Sequence, residues 1–155
     1  MAPILVIEQE LVLLGLISST LRLDGHTIID TSDPIEALSI VERRKQEIDL
    51  VLTDAETTPI SGFEFVKRLT AKGIDIPVLF ISGCPNLAGV IASTLGKSSV
   101  IETPFTASAL RRSVNRLLAL ANRNRQSAGS GKSAKDIKRR LVARFPSSIR
   151  ELFAH

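Results

Sequence analysis

Cysteine is nearly absent from this chain, with Cys84 the only one in 155 residues. No internal disulfide can form, so a disulfide-stapled secreted fold is excluded and a reducing, cytoplasmic setting is expected. Long apolar runs are absent too. The longest, Leu11 to Ile17, already contains Gly15, and a membrane span needs roughly 18 residues. No membrane partner is therefore expected. The N-terminal stretch has no basic residue before its apolar run, and Glu8 cuts that run short, so it does not read as a secretory signal. There is no Trp, no Tyr and no internal repeat.

Hydrophobic residues make up 44% and charged residues 23%. That balance excludes a wholly disordered chain, and the length predicts one compact domain with an appendage. The net charge of +4 conceals a division. Residues 1–110 carry 8 Lys+Arg against 14 Asp+Glu, a balance of −6. Residues 111–155 carry 12 Lys+Arg against 2 Asp+Glu, a balance of +10. An acidic body is followed by a basic tail.

Within the first 122 residues two patterns alternate. Short β-branched runs occur at Ile4 to Ile7, Thr27 to Ile29, Ile48 to Thr53, Val78 to Ile81 and Ser99 to Ile101. Helical spacing occurs at Leu11 to Leu23, Pro34 to Gln46, Phe63 to Lys72, Leu87 to Leu95 and Thr106 to Asn122. Asp33 with Pro34 signals one helix start, and Gly73 signals a helix end. Strands alternating with helices predict an α/β fold, a doubly wound parallel sheet with helices on both faces. The body is expected over residues 1–125, a Gly/Ser-rich linker over 126–133, and a basic amphipathic helical tail over 134–155. Gly-Ser-Gly-Lys-Ser at 129–133 is not a phosphate loop. Gln126 stands where the first glycine is required, and a helix precedes it rather than a strand.

In doubly wound sheets, function gathers outside the carboxyl ends of the strands. Those ends read Glu8-Gln9-Glu10, Thr53-Asp54-Ala55-Glu56, Ser82-Gly83 and Glu102-Thr103-Pro104-Phe105. Asp54 falls at the centre of the depression that they would form.

These residues resemble the receiver domain of bacterial two-component response regulators over about residues 3–122. The resemblance rests on Ile-Leu-Val-Ile-Glu-Gln-Glu at 4–10, Asp-Leu-Val-Leu-Thr-Asp at 49–54 and Ile-Ser-Gly-Phe-Glu at 60–64. It continues in Ile-Pro-Val-Leu-Phe-Ile-Ser-Gly at 76–83 and Thr-Pro-Phe at 103–105. It implies a flavodoxin-like sheet in strand order 2-1-3-4-5. It implies that Asp54 accepts a phosphoryl group from a sensor histidine kinase or a phosphotransfer protein, and that the chain signals by protein–protein contact. It further implies Mg2+ near Glu8, Gln9, Asp54 and Glu56, a Ser82 hydroxyl on the phosphoryl group, and a cis peptide between Thr103 and Pro104.

The chain departs from the family pattern at four places. Gln9 replaces the second acid on the first strand. Thr103 replaces the lysine before the proline, Val100 replaces the switch aromatic, and a proline usually four residues after the acceptor lies one place later, at Pro59. An amide can ligate a cation but adds no charge, and a threonine cannot supply the lost ammonium group. Slow phosphorylation is therefore expected, with a phosphorylation-independent pseudo-receiver as the alternative. Three plainer readings stand beside these roles: Ser82 as a capping serine, Thr103 as a strand-end threonine and Glu102 as a solvated side chain.

An enzyme is not expected. A dehalogenase-type phosphatase would carry its Asp-x-Asp motif on the first strand, whereas this chain has Asp54-Ala55-Glu56 on the third. The basic tail attracts phosphates in principle, but about 25 residues are too few for a DNA-binding domain with its own core. Docking on a downstream protein or on a second copy of the chain ranks above nucleic acid.

Overall fold

The computed structural model describes residues 3–84 and 100–127. Five strands, β1 (Pro3–Ile7), β2 (Thr27–Thr31), β3 (Leu50–Asp54), β4 (Val78–Ser82) and β5 (Val100–Glu102), form one sheet in the order β2-β1-β3-β4-β5. Every pairing is parallel, as the resemblance implied. Parallel neighbours need a crossover between them. Helices α1 (Leu11–Leu23), α2 (Pro34–Arg44) and α3 (Gly62–Ala71) follow β1, β2 and β3, and α4 (Ala107–Ser127) follows β5. The helix expected over residues 87–95 and the tail over 134–155 lie outside the described residues, as do residues 128–133.

The period-2 alternation of the central strands sorts the core into two layers. Leu5, Ile7, Val51 and Phe80 face α2 and α3, where they pack with Leu38, Val41, Phe65 and Leu69. Ile4, Val6, Leu50, Leu52, Leu79 and Ile81 face α1 and α4, where they pack with Ile17, Leu21, Leu110 and Val114. Both faces being covered explains why β1, β3 and β4 read as continuous apolar runs rather than alternating ones.

Local signals set the helix ends. The Asp33 side chain accepts a hydrogen bond from the Ile35 amide at 2.8 Å, with Pro34 at the first helical position. The Ser61 hydroxyl accepts from the Glu64 amide at 3.1 Å. Gly73 takes φ 70° just past α3, a left-handed conformation that favours glycine. α4 departs from the sequence expectation. It runs to Ser127 rather than stopping near Asn122, so Gln126 and Ser127, placed in the linker by composition, are helical. No Gly or Pro interrupts the chain between Ala107 and Ala128, so nothing local stops the helix there.

Candidate functional site

Strand register brings the polar ends together. Ile7 stands opposite Thr53, Asp54 opposite Ile81, and Ser82 opposite Glu102. Glu8, Asp54, Ser82 and Thr103 therefore leave four adjacent strands at one edge. Neighbouring strands lie about 4.8 Å apart, so the four ends fall within about 15 Å.

Glu8 is buried, with 3% of its surface exposed. Its backbone N–H donates to the Thr31 carbonyl, and its Oε1 accepts from the Glu10 amide at 3.0 Å. Its Oε2 is buried without a hydrogen-bond partner. Burial pushes the Glu8 carboxyl above its ordinary range; the Glu10 amide opposes that shift, and the charge of Asp54 adds to it.

Asp54 is the last residue of β3 and half-buried. Its Oδ1 accepts the Glu56 amide at 2.8 Å, which folds the chain back over the strand end and leaves Glu56 itself exposed. The start of α3 presses against the same place. A Cβ on Gly62 would lie 2.7 Å from the Asp54 carbonyl oxygen and 3.0 Å from the Ala55 Cα. Only glycine lets the helix approach the acid-bearing strand end this closely.

Gln9 is engaged with the backbone of the β3–α3 loop. Its side-chain Nε2 donates to the Thr58 carbonyl, and its Oε1 accepts the Thr58 amide at 3.1 Å. The carboxamide thus pairs with the Thr58 backbone on both edges and ties the end of β1 to the β3–α3 loop. That loop holds a cis Thr58–Pro59 peptide. The Ser82 hydroxyl is buried and closes a local turn, accepting the Cys84 amide at 3.1 Å and donating to the Cys84 carbonyl at 3.3 Å. The Thr103 amide donates to the Ser82 carbonyl at 3.0 Å. Its Oγ1 lies 3.0 Å from where a Gly83 Cβ would be. Thr103–Pro104 is cis, as the resemblance implied.

The structure therefore gathers Glu8, Asp54, Ser82 and Thr103, sets Glu56 at the rim and engages Gln9 elsewhere. Reading the sequence missed the roles of Gly62 and Thr58. Gly62 stood in a quoted motif, but its need arises from α3 meeting β3. Thr58 pairs with a residue 49 positions away, so no local pattern announced it.

Among the described residues no group of three or more His, Cys, Asp or Glu side chains is placed to hold a metal ion. The donors that are present still fit Mg2+, which keeps several waters and is commonly held by one or two carboxylates plus phosphate oxygens. Glu8 offers a buried, unpartnered oxygen, and Asp54 offers a second carboxylate.

A doubly wound parallel sheet with acids and hydroxyls gathered at its carboxyl edge defines a flavodoxin-like α/β protein. Residues 4–115 match the response regulator receiver domain, and the chain belongs to that family. It is 25% identical over 128 residues to the response regulator SaeR of Staphylococcus epidermidis, covering 82% of this chain and 55% of that protein. The chain thus spans about half the length of the curated relatives it matches. A receiver domain from Clostridium thermocellum superposes with TM-score 0.71 at 27% identity, covering 79% of this chain and 98% of that one. NtrX from Brucella abortus does so with TM-score 0.69 at 26% identity, over 83% of this chain and 29% of that one. No helix among the described residues is long and apolar enough to cross a membrane.

Proposed function

We propose that this receiver accepts a phosphoryl group on Asp54 from a histidine kinase or phosphotransfer protein and passes the signal on by protein contact. The observation that carries this reading is the position of Asp54. It is a half-exposed carboxylate ending the central strand, flanked by the buried Glu8 and the Ser82 hydroxyl. An Asp54 oxygen attacks phosphorus, the bond from phosphorus to the donor's imidazole nitrogen breaks, and a proton from solvent neutralises the leaving imidazole. Glu8, Asp54 and the Glu56 carbonyl would hold Mg2+, which when bound neutralises charge on the phosphoryl oxygens. The Ser82 hydroxyl exchanges its Cys84 carbonyl for a phosphoryl oxygen. Thr103 contributes a hydroxyl but no cation, so transfer is slower than with a lysine in that place.

Incubation with Mg2+ and acetyl phosphate, followed by intact mass, tests the reading. The chain is expected to gain about 80 Da, the mass of one phosphoryl group, and Asp54→Asn to gain nothing.

A second reading has an observation of its own: the Gln9 carboxamide is already paired with Thr58. It makes the chain a phosphorylation-independent binding module. An unmodified wild type beside a labelled Gln9→Asp, Thr103→Lys double variant establishes that reading and defeats the first.

A further inference from the structure

Helix α1 is apolar on more than the side it buries. Ile17 and Leu21 enter the core, yet Leu11 is 69% exposed, Val12 72%, Leu16 62% and Leu23 83%. A helix that is apolar nearly all round is normally covered on both sides. Beside it, Val12, Leu13, Leu16, Pro104, Phe105 and Leu110 line an open groove of about 580 Å³ between α1 and the start of α4. Glu10 and Thr103 form its rim toward the acidic edge of the sheet.

We propose that residues 134–145 of the same chain, the stretch that Pro146 closes, occupy this groove as an amphipathic helix. Three observations select this occupant. The first is pattern. Ile137, Leu141 and Phe145 recur at helical spacing over about 12 Å, the same run as Val12 to Thr20 on α1. An isolated helix of this length is marginal in water and needs a surface.

The second is charge. Residues 128–155 carry 7 Lys+Arg against 2 Asp+Glu, a balance of +5. The edge that the groove adjoins presents Glu10, Asp54, Glu56 and Glu102. The third is reach. From Leu110 to Ser127, α4 runs about 25 Å away from the groove at 1.5 Å per residue. Residues 128–133, Ala-Gly-Ser-Gly-Lys-Ser, span up to about 20 Å extended, and a helix over 134–145 adds about 18 Å. The chain can therefore turn back along α4 and lie over the α1 seam. A linker this short makes the encounter intramolecular and strongly favoured over docking between copies at ordinary concentrations.

The test uses the full chain with a nitroxide on a single cysteine, in the Cys84→Ser, Lys138→Cys protein. Amide signals of residues 12–20 and 103–110 are expected to broaden, and those of β2 and α2 to stay sharp. Leu16→Glu should abolish the broadening while leaving the receiver folded, because Leu16 is exposed and outside the core; Leu16→Met should retain it. Broadening that is absent, spread evenly over the surface, or indifferent to Leu16→Glu overturns the proposal. So does broadening in an equimolar mixture of isotope-labelled chain without nitroxide and nitroxide-bearing chain without isotope. That result places the segment on a second copy.

Discussion

Glu8 shows what a single side chain contributes and costs. It is buried, and one of its oxygens has no partner. Its folded-state pKa lies above the ordinary carboxylate range. The protonated acid is therefore the better-tolerated form. Stability is full at low pH and falls as pH rises from the ordinary range through the raised value, because the unfolded chain ionises first. Without divalent cations at neutral pH, Glu8→Gln should raise the stability by about 1 kcal/mol, the scale of an unsatisfied buried polar group. The same variant should slow the labelling of Asp54 by acetyl phosphate. A variant less stable than wild type in urea titrations at neutral pH contradicts this account. Glu8 could be chosen from the sequence because it ends an apolar β-branched run. Its burial could not, since that depends on Thr31 and Glu10 closing around it.

Between elements, the critical meeting is that of α3 with β3. Strand β3 delivers Asp54, and α3 begins against the Asp54 carbonyl with only the hydrogen of Gly62 between them. Gly62→Ala inserts a methyl group into backbone that has no room to yield. The expected cost is about 1–3 kcal/mol, the range for overpacking a tight site. Asp54 labelling should also slow, because the strand end that carries the acceptor must shift. Chemical denaturation and a labelling time course read the two effects separately. The caps of these elements were legible beforehand: Asp33-Pro34 starts α2 and Gly73 ends α3, each through purely local chemistry. The end of α4 was not. A Gly/Ser-rich stretch marks where a helix must have stopped but not the last residue to join it.

Across the whole molecule, one sheet separates two apolar layers, so damage to either layer reaches the other through shared strands. Phe80 is fully buried, faces α2 and α3, and stacks on Phe63 with centroids 5.2 Å apart. Phe80→Ala should cost about 3–5 kcal/mol. The loss should appear as a lower midpoint of one cooperative transition, followed by far-ultraviolet and near-ultraviolet dichroism alike. Separate transitions by the two probes would show that the layers unfold independently.

The class of fold was determined by the sequence itself, because the alternation of β-branched runs with helical spacing is a local property and parallel strands admit few arrangements. The choice of Asp54, Glu8, Ser82 and Thr103 followed from the same logic, since strand ends can be counted along a chain. Tertiary structure alone decided which polar atoms are already engaged. Gln9 faces Thr58 across 49 residues of chain, and one Glu8 oxygen is left unpaired. The physical reason is that these contacts arise where separate segments meet, and the geometry of that meeting is set by packing that no short stretch of sequence contains.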